Sequence, residues 1–316
     1  MISEKTNLRQ ADSRVTVTGW LAEEDLKIEK DEKGFDRIVG YIVIKTSDKN
    51  SVRFGIRASS KTKAGADSKT YPGIKTVMDE YKAIADVGVA DADYITINRG
   101  TLNLYRGTNG NEIVAFQTNF MNREKDKEKD PEATLSLELY ISGFAPEVKR
   151  VDEDTEETGR LIVKGWHPTF NGIEPVELIA DKDIADAIES TLDVGQTVTF
   201  YTDIINERHE TTKTIPMLIG KPKIEKTVTY KNELLITGCS DIYENREEGD
   251  EGEFGTNGLP WAYDTNTIKK AIQERENQIE AEKANGGNIK NTTNKPSGAK
   301  RGRTLNIWFL ILANIN

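Results

Sequence analysis

The stretch VTVTGWL, Val15 to Leu21, sets Val15, Val17, Gly19 and Leu21 against Thr16, Thr18 and Trp20. Strict alternation of this kind marks a strand with one buried face, and a glycine in its middle marks a bend or bulge. Looser echoes follow in LELYISGFA, Leu137 to Ala145, and in ELLITGCS, Glu233 to Ser240. The pattern poses the question of whether one structural unit is written twice.

Working outward from Gly19, the alternation continues through five strand-like segments. Arg14 to Leu21 is followed by Arg37 to Lys45 and Ser51 to Ala58, and a hairpin joins Tyr94 to Arg106 with Glu112 to Phe120 across GTNGN. Between the third and fourth segments, YPGIKTVMDEYKAIADVG reads as a helix, with Pro72 in its first turn and Gly88 as its stop. The order then recurs. Leu135 to Phe144, Arg160 to Trp166, Ile173 to Ala180, Gln196 to Ile205 and Asn232 to Cys239 read as strands, with the helix DKDIADAIESTLDVG before the fourth. Gly143 lies 124 residues after Gly19 and Gly195 lies 107 after Gly88, so the repeat is a duplicated domain with altered loop lengths. Five strands with one helix between the third and fourth is the order of an OB-fold barrel. The expected fold is mainly β: two tandem OB-fold five-stranded barrels at 12–125 and 126–243, with Gly19 and Gly143 as the corners of their first strands.

The remainder changes character. Residues 244–263 open with the acidic linker ENREEGDEGE, residues 264–284 read as an amphipathic helix capped by Asp264, and 285–316 is a low-complexity, flexible tail with an apolar end. For the apolar terminus TLNIWFLILANIN, partner docking, a packed strand and an incidental tail stay open; it is far shorter than the roughly 20 residues of a membrane span. The 316 residues carry a net charge of -10, but the charge is segregated: +1 over 1–130, -9 over 131–240, -7 over 241–285 and +5 over 286–316. The densest basic run in the folded part is Ser51 to Lys75, which is either a solvated face or a binding face.

Catalytic signals are absent from the sequence. One cysteine and two distant histidines exclude a disulfide framework and a Cys/His zinc cluster, no phosphate loop or nucleophile elbow occurs, and no cofactor is expected. The acidic loop Val151 to Gly159 lacks the ligand spacing and turn glycine of a calcium site. Neither a signal peptide nor a membrane segment is evident, so a cytoplasmic protein is expected. The positive signal is what strand parity places on the outer walls: Trp20, Tyr41, Arg53, Arg57, Tyr105 and Arg106 in the first lobe, with Lys61, Lys63 and Tyr71 in adjoining loops. The second lobe offers Tyr140, Phe144, Arg160, Lys164, Trp166 and Tyr201, with Phe170 nearby. Rings interleaved with cations suit single-stranded nucleic acid, since bases stack and phosphates need neutralising. At Trp20 and Phe144 the alternative is packing over the barrel end.

Together the two-lobe order, VTVTGWLAEED, FGIRASSKTKAG, YPGIKTVMDEY and KGWHPTFNG resemble the tandem-OB single-stranded DNA-binding proteins of bacteriophages and mobile elements of Gram-positive bacteria. The resemblance covers about residues 12–245. It implies a non-enzymatic, sequence-independent protein that coats single-stranded DNA during phage or plasmid replication and recombination. Replication or recombination proteins would dock on the acidic linker or the C-terminal tail. The acidic stretch at 244–253 looks like the acidic tails of such proteins, although here a basic and then apolar terminus follows it. A tandem-OB protein-interaction module, such as an inhibitor or virion component, and a single-stranded RNA binder are the alternatives.

Overall fold

The computed structural model describes residues 8–106, 112–125, 127–151, 154–170, 172–217, 219, 221–284 and 309–310. The first lobe contains β1 (Ser13–Lys30), β2 (Asp36–Lys45), β3 (Ser51–Ser59), α1 (Tyr71–Glu80), α2 (Ile84–Val87), β4 (Tyr94–Arg106), β5 (Glu112–Gln117) and the short β6 (Asn122–Arg123). The second contains β7 (Glu132–Val151), β8 (Asp154–Thr169), β9 (Gly172–Ala180), α3 (Lys182–Thr191), β10 (Thr197–Ile215) and β11 (Lys223–Cys239). Helix α4 (Thr265–Ala284) and the two-residue β12 (Phe309–Leu310) follow.

The protein is mainly β, and its strands form one large mixed sheet. In the first lobe β1 pairs with β2 and β4, β2 with β3, and β4 with β5, all antiparallel, while β3 and β5 meet in parallel at Phe54↔Phe116. The second lobe repeats these pairings: β7 with β8 and β10, β8 with β9, β10 with β11, and β9 with β11 in parallel at Ile179↔Leu235. The lobes are not separate sheets, because Ser13–Thr18 of β1 pairs antiparallel with Glu132–Leu137 of β7.

A single apolar core runs through the join. Val15 and Val17 of β1, Leu135 and Leu137 of β7 and Phe200 of β10 are all buried in it, together with Phe54 and Ile97 from one lobe and Leu178 and Ile236 from the other. Each such side chain contributes about 1.5–3 kcal/mol when removed from water. A second seam reinforces the first. The side chain of Asn50, in the β2–β3 turn, donates to Ile204 O (3.1 Å) and accepts from Asn206 N (2.6 Å), and Asn206 Nδ2 donates to Ser51 O (2.7 Å).

Gly19 sits where β1 changes partners: residues up to Trp20 pair with β4, and from Trp20 onward with β2. A Cβ there would overlap the Lys45 carbonyl oxygen and lie 3.0 Å from Ile44 Cγ2, so only glycine admits this backbone approach. Gly143 lies at a bulge in the β7–β8 pairing but has nothing within 4 Å of an added Cβ. The two glycines are equivalent in the repeat and unequal in their constraint.

Several elements exceed their sequence signals. β1 continues past the bulge between Leu21 and Glu23 to Lys30, and β10 and β11 extend as a two-stranded arm to Ile215 and back from Lys223. The arm is largely exposed on both faces, and the β1 extension buries one face only partly, with Glu24 on it as well as Leu26, so no apolar alternation announces either. The long first helix is instead ten residues followed by one turn, because Tyr81 adopts an extended backbone at the end of α1. The hairpin tip at 107–111 and most of the tail at 285–316 lie outside the described residues.

Candidate nucleic-acid interface

Strand parity in the first lobe places Tyr41, Arg53 and Tyr105 together on the outer wall. The Arg53 guanidinium carbon lies 3.6 Å from the centroid of the Tyr41 ring, a stacked cation–π contact. Its charge also reaches Tyr105, whose hydroxyl is pushed up in pKa by burial and drawn back by Arg53. Tyr41 behaves alike: burial raises its pKa, Arg53 opposes that, and Asp25 and Glu23 add to the rise. The wall therefore presents a ring and a stacked planar cation across β2 and β3, with Tyr105 of β4 within reach of the same charge. Gly55 lies opposite Tyr41 in the β2–β3 pairing, and the Gln117 side chain lies over it, 3.5 Å from where a Cβ would stand.

Arg57, Lys61 and Lys63 converge next to this wall. They line a small groove of about 260 Å³ with Arg37, between the β1–β2 turn and the loop after β3. Lys61 is ion-paired with Asp67 at 2.7 Å and Arg37 with Glu29. Among the described residues Arg53, Arg57 and Lys63 form no ion pair, although Asp31 and Glu32 line the same groove as Arg57 and Lys63. The side chain of Arg106 lies outside the described residues; its backbone ends β4 opposite Glu112.

The other first-lobe candidates are placed differently. Trp20 is half-buried, edge-on to Tyr94 at 5.0 Å between centroids, with Lys127 Nζ 5.0 Å from its ring. It packs against the wall beside the corner glycine. Tyr71 opens α1 and packs partly on the core.

The second lobe departs from the expected outer wall. Tyr140 is buried, and Trp166 packs half-buried beside it, because α4 and the N-terminal segment cover them. Ile268, Ala271 and Ile272 of α4, with Leu8, Ala11 and Tyr263, fill this second apolar cluster, and the Tyr140 hydroxyl meets Thr265 Oγ1 at 3.2 Å. The cover is pinned by a fully buried carboxylate: Glu138 accepts from Arg9 Nη1 (3.0 Å) and from Asp12 N (2.9 Å), and its carbonyl pairs with buried His167 Nδ1 (2.9 Å). Burial lowers the pKa of His167, with the contact to Glu138 opposing. Phe144 is half-buried against the main core.

Cations of the second lobe are neutralised within it. Arg160 bonds Glu147 (3.1 Å) and Glu233 (2.7 Å), and Lys164 pairs with Glu177 at 3.6 Å. Tyr201 and Phe170 are exposed. Tyr201 stands on the outer face of the join: it lies opposite Ser136 of β7, which lies opposite Arg14 of β1. Arg14 was not singled out in the sequence, and only knowledge of the β1–β7 pairing brings it beside Tyr201. The extended β10–β11 arm adds Arg208, Lys213, Lys223 and Lys226, several of them paired with Glu210 or Glu225. Among the described residues no group of carboxylate, histidine and cysteine side chains is placed to hold a metal, and no helix is long and apolar enough to cross a membrane.

A family model described as YorF matches residues 12–285. No curated protein matches the chain. Among solved structures, the wild-type single-stranded DNA binding protein from Thermus aquaticus aligns with a TM-score of 0.43 at 9% identity, covering 77% of this chain and 98% of that one. A deletion mutant of the same Thermus protein aligns with a TM-score of 0.45 at 9% identity, covering 77% and 100%.

Proposed function

We infer that this chain, which belongs to the YorF family, is a non-enzymatic protein that binds single-stranded DNA on the outer wall of its first lobe. The observation that carries the reading is the Arg53 guanidinium stacked on Tyr41, with Tyr105 within reach of its charge, beside Arg57 and Lys63, which have no ion-pair partner among the described residues. A flexible single strand can lay a base on the guanidinium plane or the Tyr105 ring while its phosphates meet the neighbouring cations. A duplex hides its base faces and gains only the charge term. On this reading the two strand circuits are tandem OB-type barrels fused along β1 and β7, and the second contributes less to the wall, since Tyr140 and Trp166 are covered and Arg160 and Lys164 are paired. Coating of exposed strands in phage or plasmid replication and recombination is the cellular role proposed, in the cytoplasm of a bacterial host.

The test is fluorescence anisotropy with a labelled oligo-dT, competed by unlabelled single strand and by duplex of the same length. Competition by single strand alone is expected. Equal competition by duplex contradicts the stacking contribution and leaves only a charged surface.

A further inference from the structure

The first-lobe wall continues from Tyr105 into an open groove of about 830 Å³ lying between the two lobes. β4 supplies Asn103 and Tyr105, the N-terminal segment Gln10, the β8–β9 turn Phe170, and α4 supplies Arg275 and Gln278. The groove is built, because α4 is fixed over β9 by Arg275 Nη2 to Glu174 Oε2 at 3.0 Å and by Ile268 and Ala271 in the cluster under it. Tyr105 lines this groove and lies within reach of the Arg53 charge, so the groove adjoins the stacked pair.

The lining is wrong for phosphate. Arg275 is paired with Glu174, and Asp12 adds a further carboxylate to the wall. It is suited to nucleobases. Three side-chain amides each offer a donor and an acceptor, the inventory that matches base edges, and Tyr105 and Phe170 contribute flat faces from opposite lobes. The volume falls within the range of small-molecule sites and accommodates a nucleotide or two.

We propose that this groove takes unstacked bases of the same single strand whose backbone lies on the cationic wall, and that Gln10, Asn103 and Gln278 bias which base enters. The proposal rests on the DNA-binding reading and adds to it a second subsite, a third wall made by α4, and a base preference in place of indifference to sequence.

Photo-cross-linking of the full chain to an oligo-dT carrying 5-iodouracil, mapped by peptide mass spectrometry, tests it. Labelling of Phe170 along with Tyr41 or Tyr105 is expected. Labelling at Tyr41 or Tyr105 with none at Phe170 overturns the groove and leaves DNA binding standing, whereas no labelling and no binding overturns both. Affinities of the wild type for oligo-dT, oligo-dC and oligo-dA should differ by about tenfold across the set. The Asn103→Ala, Gln278→Ala double variant should narrow that spread to within about threefold at an unchanged salt slope. A spread that survives the double variant, or a wild type without one, overturns the assignment of base preference to the amides.

Discussion

Replacing Gly19 by alanine inserts a methyl group into the place where β1 passes from β4 to β2. The new carbon would overlap the Lys45 carbonyl oxygen, with Lys45 C at 3.1 Å and Ile44 Cγ2 at 3.0 Å. Two of these three atoms are backbone held in the β1–β2 pairing, so no rotamer change relieves them. Overpacking of a rigid core costs about 1–3 kcal/mol, and a clash with paired backbone belongs at or above the upper end. The matched control is Gly143→Ala, since its Cβ meets nothing within 4 Å and Gly143 is not among the glycines with positive φ. There the shorter list of unfolded conformers makes the change neutral or stabilising by up to about 1 kcal/mol. Urea denaturation followed by circular dichroism should show Gly19→Ala less stable than wild type by about 3 kcal/mol or more, with Gly143→Ala within about 1 kcal/mol of it. Equal effects at the two sites would refute the claim that β1 alone is pinned at its corner.

Further outcomes follow from other contacts. Asn50→Ala removes the bond to Ile204 O and leaves the buried Asn206 N–H without its acceptor, which should cost roughly 2–4 kcal/mol in the same denaturation assay; a loss under about 0.5 kcal/mol would mean the seam between lobes is slack. Burial raises the Glu24 carboxyl pKa from 4.5 to about 7, with Asp86 and Asp79 adding to the rise. The folded chain therefore holds an extra proton between those values, and stability falls as pH rises from about 4.5 to about 7. Because the group is partly exposed, the contribution is discounted to about 1 kcal/mol. Glu24→Gln should raise Tm by about 1–2 °C at pH 8 and leave it unchanged at pH 4, as read by thermal scans; a gain at both pH values would assign the effect to packing. Tyr105→Ala should weaken oligo-dT binding by about fivefold or more without altering its salt dependence, since the ring contributes stacking and no charge.

The sequence disclosed what depends on a buried face. Val15, Val17 and Leu21 alternate because one side of β1 packs into the core, and the same rule holds for Ile38, Ile42 and Ile44 of β2 and for Val52, Phe54 and Ile56 of β3. It was silent for Glu23 to Lys30, where the half-buried face carries Glu24 as well as Leu26, and for the β10–β11 arm, where both faces meet solvent. The single sheet was also hidden, since the β1–β7 pairing is set by residues more than a hundred positions apart. Parity correctly turned Tyr41 and Arg53 outward, but outward is not the same as exposed. Trp166 has the predicted side of its strand and is nevertheless covered, by an α4 tied to β9 through Arg275 and Glu174 and by an N-terminal segment pinned through Arg9 and Glu138. Unpaired charge was equally invisible. Lys164 and Arg57 look alike in the sequence, and only the fold shows that one faces Glu177 while the other has no carboxylate partner among the described residues.

The central claim is that cations on the first lobe neutralise the phosphates of a single strand, and the salt dependence of oligo-dT affinity measures it most directly. With Arg53, Arg57 and Lys63 engaged, and Lys61 released from Asp67 to join them, three or four phosphates at about 0.7 each give a slope of log affinity against log salt of about -2 to -3. Arg57→Ala should reduce that slope by about 0.7. An affinity that ignores salt, or a slope that Arg57→Ala leaves unchanged, would contradict it.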